Sequence, residues 1–200
     1  TGIKLINRMG RGLKKLGIER PPLLPTERLI RKAKKQTGLS DFGDESFMSA
    51  LEKLAVSLEQ QARLSQLGRI AVHGMLLDNL KLRLTLTEYR KQRPEIALQK
   101  IAQPLFVLGL PRTGTTILYE LLAQDPAHRA PSTWEVAQPL PPAQRQNYYT
   151  DTRIAVVEKN VKKMEVLAPG FQAIHAMGAE LPQECVTLLA PHFISDQFGV

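Results

Sequence analysis

An apolar run, Leu105-Phe106-Val107-Leu108, is followed directly by a glycine-containing loop and by leucines at helical spacing over residues 115–124. An apolar run of this length suits a buried parallel strand. Strand, glycine turn and helix in this order form the opening unit of an α/β sheet. The sequence therefore predicts an α/β fold in which a P-loop-like parallel sheet is flanked by helices.

The chain before this unit has the character of a helical region. Residues 26–37 are basic and helix-compatible, and apolar side chains recur at spacings of three and four over residues 45–67 and 70–92. We therefore predict a mostly helical N-terminal region at residues 1–100. Residues 101–200 are predicted to be the first part of an α/β domain that is truncated at its C-terminus.

Individual residues refine these helix predictions. Gly38 is suited to end the first helix and Pro94 to stop the third, in which Leu77, Leu80 and Leu84 are predicted to face inward. In the second half, Ile154, Val157, Val161 and Met164 share one face of a helix predicted at residues 151–167. A further helix is predicted to include residues 180–189.

The net charge of +8 is concentrated near the N-terminus, because residues 1–35 hold 11 basic and 2 acidic side chains. Residues 3–17 are predicted to form a basic amphipathic helix, a type that can contact anionic lipid. A solvated helix packed on the domain is the alternative that we favour. Neither an aromatic platform nor zinc-ligand spacing accompanies the charge, so we predict no nucleic-acid partner.

Cysteine content and hydropathy bear on the cellular location. Cys185 is the single cysteine, so no intramolecular disulfide is possible, and no apolar run approaches the ~20 residues that span a bilayer. No secretory signal is visible. We expect a cytoplasmic protein, and nothing in the sequence indicates an oligomeric state.

The loop carries residue types that bind phosphate, in the order Gly109-Leu110-Pro111-Arg112-Thr113-Gly114-Thr115-Thr116. Backbone N–H groups and the helix dipole favour an anion at a helix start. Gly114 lets a phosphate approach without a Cβ, the two following threonines offer hydroxyls, and Arg112 offers a permanent cation. We predict a phosphate site here.

The loop departs from the loop of nucleotide triphosphatases, G-x-x-x-x-G-K-[ST]. Both glycines are present, but Thr115 replaces the lysine that reaches the β- and γ-phosphates. The cation lies instead at Arg112, before the second glycine. This arrangement argues against ATP or GTP and suits a single 5′-phosphate.

Pro-Arg-Thr-Gly-Thr-Thr after an apolar strand resembles the 5′-phosphosulfate loop of sulfotransferases that use 3′-phosphoadenosine 5′-phosphosulfate (PAPS), whose usual form is Pro-[Lys/Arg]-[Ser/Thr]-Gly-Thr-[Thr/x]. The resemblance to the bacterial type continues in Asp125-Pro126 with Arg129, in Trp134-Glu135, and in Ile174-His175 with the run 180–185, Glu-Leu-Pro-Gln-Glu-Cys. It covers about residues 104–198.

That resemblance implies PAPS as cofactor, without a metal, held by Arg112, Thr113, Gly114, Thr115 and Thr116. The family also binds the 3′-phosphate of the cofactor through an arginine and a serine further along the chain. We find no match to them before Val200, which puts activity of these 200 residues alone in question.

Sulfuryl transfer needs a base that takes the proton of the acceptor hydroxyl. Related enzymes carry a glutamate about twenty residues after the loop or a histidine about sixty residues after it, and Glu135 and His175 lie at these positions. The alternatives are a solvated carboxylate and a histidine satisfied by local hydrogen bonds. Both residues remain candidate bases.

Other polar residues are assigned lesser roles. Glu180 and Glu184 share a face if they lie on one helix, where they would orient His175, bind a cation or simply face solvent. Cys185 is predicted to be a small core residue rather than a nucleophile. The remaining histidines have no partner at metal-ligand spacing, so no metal site is predicted.

The sequence therefore predicts a sulfotransferase that moves a sulfuryl group from PAPS to a hydroxyl of a small-molecule or lipid-like acceptor. Two alternatives stay open, a nucleotide-binding kinase or NTPase and a non-catalytic fragment that lacks the 3′-phosphate site. The acceptor itself cannot be deduced, because the fold does not name a substrate.

Overall fold

A computed structural model describes residues 25–110, 113–173, 175–195 and 198 of the chain. The predicted basic helix at residues 3–17, the loop cation Arg112 and Ile174 lie outside these ranges. The chain divides into two compact units, one formed by Thr1–Gln99 with Leu189–Val200 and the other by Lys100–Leu188.

The first unit is helical where it is described. Its helices are α1 (Thr26–Thr37), α2 (Phe47–Gln60) and α3 (Gln66–Gln92), and 3-10 helices follow at Pro94–Leu98 and Ala190–His192. The helices predicted for residues 26–37, 45–67 and 70–92 are thereby confirmed, with α2 shorter than predicted.

Single residues set the helix ends in the first unit. Gly38 follows α1 with φ 70°, the left-handed conformation that glycine adopts without a Cβ penalty, and its N–H bonds to Lys34 O. Ser65 begins α3, and its hydroxyl accepts a hydrogen bond from Gly68 N at 3.1 Å. Gly38 was predicted as the end of the first helix.

The core of this unit is built from the apolar faces of the three helices. Leu77, Leu80 and Leu84 of α3 are 7%, 0% and 0% exposed, which confirms that they face inward. They pack with the following buried side chains: Leu29, Ala33, Phe42, Phe47, Leu51, Leu58, Leu76, Ala190, Phe193 and Phe198.

Arg83 is a buried charge within this apolar face. Its guanidinium donates hydrogen bonds to Phe42 O at 2.9 Å and to the backbone oxygens of Asp44 and Pro191. The group also stacks on the Phe47 ring, with Cζ 4.4 Å from the ring centroid. Burial lowers the pKa of Arg83, and the carbonyl contacts compensate the desolvated cation.

The second unit also consists of helices and loops where it is described. It contains α4 (Thr115–Leu122), α5 (Thr133–Ala137), α6 (Thr152–Leu167) and α7, which runs Cys185–Leu189, with 3-10 helices at Arg145–Thr150 and Phe171–Ala173. The helices predicted at residues 115–124 and 151–167 are confirmed. The helix predicted over residues 180–189 is wrong in its first half, because helical structure begins only at Cys185.

The predicted α/β fold with a parallel sheet is wrong for the described residues. They contain no strand, only an isolated antiparallel bridge between Ser132 and Pro182. Residues 104–110 are irregular, and Leu105, Phe106 and Leu108 are 61%, 69% and 88% exposed. An apolar run becomes a strand only when a second strand takes its backbone hydrogen bonds, and the described chain supplies none.

The core of the second unit lies between α5 and α6. Trp134 is fully buried against Val157, Val161 and Ala179, and Ile154 packs at the edge. These contacts confirm most of the predicted inner face of α6. Met164 is the exception, because its side chain is 47% exposed.

Arg153, at the start of α6, braces this core. Its guanidinium pairs with Asp151 at 2.7 Å, donates to the carbonyls of Gln138 and Pro141, and stacks on the Trp134 ring at 4.7 Å. The hydrogen bonds from Arg153 hold the pKa of Asp151 down at about 2. One side chain thus joins the turn before α6 to the chain after α5.

Among the described helices, none is both long and apolar enough to cross a membrane.

Candidate active site

The loop at residues 109–116, called the glycine loop below, turns directly into α4. Gly114 has φ 88° and precedes the first helical residue, so its left-handed conformation is the one that favours glycine. Gly109 is tightly enclosed, because an added Cβ would lie 2.6 Å from Thr115 Cγ2 and 2.9 Å from Thr113 Oγ1. A side chain is therefore disfavoured at both positions, at Gly114 by the backbone conformation and at Gly109 by lack of space.

The hydroxyls of the three loop threonines differ in their hydrogen bonding. The Thr113 hydroxyl donates to Leu110 O at 2.6 Å, which closes the turn. The Thr116 hydroxyl donates to Oε1 of Glu184 at 3.1 Å. In the part of the chain that the structure describes, the Thr115 hydroxyl has no hydrogen bond. The hydroxyl proton of Thr115 is thus uncommitted among the described residues.

Helix α4 is anchored on one face to residues 179–184, called the connecting segment below. The Tyr119 hydroxyl donates to Gln183 O at 2.8 Å, one turn after the Thr116 contact with Glu184. Burial raises the pKa of the Tyr119 phenol, and the nearby Cys185 and Glu184 add to the effect. The helix that follows the glycine loop is therefore held at two points.

The same connecting segment is bonded to α5 on its other side. Thr133 donates to Leu181 O from both its backbone N (2.9 Å) and its hydroxyl (3.0 Å). Trp134 N donates to Ala179 O, and Gln183 N donates to Pro131 O, each at 2.9 Å. The segment thus connects the helix of the glycine loop to the helix that carries Glu135.

Glu135 closes the N-terminus of α5 in a capping box. The Ser132 side chain accepts a hydrogen bond from the backbone of Glu135, and Oε2 of Glu135 accepts one from Ser132 N at 2.9 Å. Tyr148 OH also donates to Oε2, at 2.7 Å, while Arg129 pairs with Oε1. With its side chain 11% exposed, Glu135 is an enclosed carboxylate rather than a solvated one.

His175 lies just beyond the 3-10 helix Phe171–Ala173. Its backbone N bonds to Phe171 O at 3.0 Å, and its ring meets the Phe171 ring edge-on with centroids 6.2 Å apart. Among the residues described, its imidazole has no hydrogen bond. Neither His175 nor Glu135 is hydrogen-bonded to the described residues of the glycine loop, so the structure does not choose between them as base.

Two predictions about the neighbouring polar residues are wrong. Glu180 and Glu184 do not share a helix face, because both precede the first residue of α7 and Glu184 bonds to Thr116 instead. Cys185 is exposed and not part of a core. No cluster of metal-binding side chains occurs among the described residues.

Comparison with known proteins assigns this half of the chain. A family model described as the sulfotransferase family matches residues 104–200. Residues 104–200 belong to the sulfotransferase family. This sulfotransferase segment contains the glycine loop, Glu135, His175 and the connecting segment. All of them lie within residues 104–198, where the sequence resembles the family.

Two solved structures resemble the chain over most of its length. Sulfotransferase STF1 from Mycobacterium tuberculosis H37Rv matches with a TM-score of 0.76 and 31% identity, covering 90% of this chain and 50% of that structure. Sulfotransferase STF9 from Mycobacterium avium matches with a TM-score of 0.75 and 28% identity, covering 86% of this chain and 44% of that structure. No curated protein is significantly similar in sequence. The chain thus spans about half the length of these sulfotransferases.

In the sulfotransferase segment, sequence reasoning missed the role of Glu184. Pro182 was the available signal, because proline lacks the N–H that a helix interior requires and marks 180–184 as non-helical. In the structure Pro182 forms the bridge with Ser132, which places Gln183 and Glu184 beside α4. The glutamate that contacts the loop is therefore Glu184.

Proposed function

We propose that the full-length protein is a sulfotransferase that moves a sulfuryl group from PAPS to a hydroxyl of a small-molecule or lipid-like acceptor. The observation that carries the proposal is the glycine loop. It joins the sequence Pro-Arg-Thr-Gly-Thr-Thr to a helix start at Thr115, within the segment that belongs to the family.

The shape of the loop fits a phosphate group. The first backbone N–H groups of a helix have no acceptor within that helix, and the helix dipole adds positive potential at the same end. Gly114 carries no Cβ there, and apart from its chain neighbours no described atom lies within 4 Å of where one would be. Thr115 has a free hydroxyl among its described surroundings. These groups would hold the 5′-phosphate end of the cofactor.

Charge in the loop would come from Arg112, a role that follows from the sequence. When bound, PAPS supplies the activated sulfuryl group, and a phosphate leaves with increased negative charge. A guanidinium stays protonated throughout and can bond two phosphate oxygens at once. We therefore assign to Arg112 the stabilisation of the leaving group. The cofactor-binding residues of the glycine loop would be Arg112, Thr113, Gly114, Thr115 and Thr116.

The acceptor proton would go to Glu135 or His175. Glu135 is a candidate because its Oε1 is paired, among the described residues, with Arg129, whose side chain is 68% exposed. An acceptor hydroxyl could displace that exposed partner while Ser132 and Tyr148 keep Oε2 in place. His175 stays the alternative, since its ring has no hydrogen bond in the described structure.

Binding of the desulfated cofactor, PAP, tests this function. The loop has a threonine where kinases and NTPases need lysine, so the full-length protein should bind PAP without Mg²⁺ and more tightly than ATP with Mg²⁺. Isothermal titration calorimetry with the two nucleotides, each with and without Mg²⁺, measures this directly. Mg²⁺-dependent ATP binding without a response to PAP would refute the sulfotransferase proposal.

A further inference from the structure

The Thr116 hydroxyl has one proton, and the structure gives that proton to Glu184. Oγ1 of Thr116 lies 3.1 Å from Oε1 of Glu184, a hydrogen bond between residues 68 positions apart. A hydroxyl that donates to a carboxylate cannot donate to a phosphate at the same time. The last threonine of the glycine loop is therefore already hydrogen-bonded to an acidic side chain of the protein itself.

This contact belongs to a well-connected arrangement and is not a chance meeting of surface groups. Thr116 and Tyr119 are three residues apart, on one face of α4, and both bond to the neighbouring pair Gln183 and Glu184. The Glu184 backbone N donates to the Gln183 side-chain oxygen at 2.9 Å, and Gln183 N donates to Pro131 O. Glu184 is thus fixed beside the loop helix from both directions.

We propose that Glu184 is a positioning residue that limits the affinity of the glycine loop for the 5′-phosphate end of PAPS and PAP. The inference rests on the proposed function. Two effects act in the same direction. Glu184 takes the hydroxyl proton that Thr116 would offer to a phosphate, and its negative charge next to the loop opposes a bound anion. Phosphate and Glu184 therefore compete for Thr116.

Glu184→Gln tests the competition, because glutamine keeps the shape and an acceptor oxygen for Thr116 but removes the charge. Hydrogen bonds to a neutral oxygen are weaker than those to a carboxylate. In the full-length protein, calorimetry should show PAP binding about 3- to 10-fold more tightly in Glu184→Gln, with an unchanged melting temperature.

Glu180→Gln is the matched control. It removes the same charge from the same segment, four residues earlier, where the side chain is exposed. Its PAP affinity should stay within about twofold of the parent, because exposed charges are screened over about 8 Å at physiological salt. Equal tightening in both variants would show a general charge effect and overturn the role of the Thr116 contact.

A double-mutant cycle with Thr116→Val isolates the hydroxyl. Without the hydroxyl there is no proton to compete for, so Glu184→Gln should tighten PAP binding less in the valine background than in the parent. An equal gain in both backgrounds would contradict the proposal. So would unchanged or weaker PAP binding by Glu184→Gln when the parent binds PAP. If the parent itself binds no PAP, the proposed function fails and this inference falls with it.

Discussion

Tyr148 donates its hydroxyl proton to Oε2 of Glu135 across 2.7 Å, while its oxygen lies 2.8 Å from the Ser132 hydroxyl. Because the tyrosine proton goes to the carboxylate, Ser132 must be the donor in the second contact. The Ser132 side chain meanwhile accepts from the Glu135 backbone in the capping box. Burial raises the pKa of the Tyr148 phenol, which keeps this donor protonated. The network therefore fixes the orientation of the Glu135 side chain.

Glu135→Gln separates a catalytic from a structural role. Glutamine also completes a capping box, so the fold should keep its melting temperature within a few degrees. If Glu135 takes the acceptor proton, turnover of the full-length protein should fall by ~10²–10⁴-fold with nearly unchanged PAP affinity. Glu135→Ala is the companion variant, and it should also lose about 1 kcal/mol of stability. Unchanged turnover in Glu135→Gln would remove Glu135 as the base.

His175→Ala tests the alternative base. If the imidazole accepts the proton, this variant should show the large loss of turnover and Glu135→Gln should not. Because no hydrogen bond of the ring is seen in the described structure, the alanine variant should lose little stability beyond its edge contact with Phe171. Steady-state kinetics of both variants decides between them. Normal turnover in both would exclude both assignments.

Helices were predictable from sequence because their signals are local. The spacing of Leu80 and Leu84 identified the inner face of α3, and Gly38 marked the end of α1. Arg83 lies between those leucines and would be assigned to solvent by its charge. It is buried because the carbonyls of Phe42 and Pro191, 41 and 108 residues away, accept its hydrogen bonds.

The absence of a sheet and the contacts of the loop could not be predicted, because both depend on residues far away in the sequence. An apolar run such as residues 105–108 specifies a strand only together with a remote partner, and the described chain provides none. The glycine loop was found from its residue order. The partner of Thr116 was not, because Glu184 comes close only after Pro182 bridges to Ser132.

The pair Asp151 and Arg153 should make the second unit sensitive to acid. The hydrogen bonds that Arg153 donates hold the pKa of Asp151 at about 2, below the ordinary value of 3.8. A lowered carboxyl pKa stabilises the folded state above pH 3.8, and this contribution is lost as the pH falls towards 2. Denaturant unfolding at pH 5 and pH 2.5 should show that the free energy of unfolding falls more in the parent than in Asp151→Asn. An equal loss would contradict the prediction.

His192 should give the first unit a dependence on pH closer to neutrality. Partial burial, and then the charge of Arg83, lower the pKa of His192 from 6.5, and Nδ1 lies 3.1 Å from the Arg83 guanidinium. The unfolded chain therefore takes up the proton first, and stability falls as the pH drops below 6.5. His192→Asn keeps an acceptor for Arg83 without titrating. Between pH 7.5 and 5.5 its melting temperature should fall less than that of the parent, and an identical fall would refute this account.

Arg112 should be the most sensitive position in the glycine loop. The leaving phosphate gains negative charge as the bond to sulfur breaks, whereas backbone N–H groups and a helix dipole offer only partial charges. A full cation at the loop therefore acts more strongly in the transition state than in the ground state. We expect Arg112→Ala to lower turnover by ~10²–10³-fold and to weaken PAP binding. Arg112→Lys should keep part of both, because it retains the charge without the two-pronged geometry.

Arg145→Ala is a suitable control for Arg112, since it removes an exposed arginine from the same unit. Its PAP affinity and turnover should match those of the parent. Melting temperature and PAP affinity measured together on Arg112→Ala distinguish a cofactor ligand from an arginine that only pairs with a nearby carboxylate. A ligand loses affinity at constant stability, whereas a structural pair loses stability at constant affinity. An Arg112→Ala variant that binds PAP like the parent would therefore disprove its place in the cofactor site.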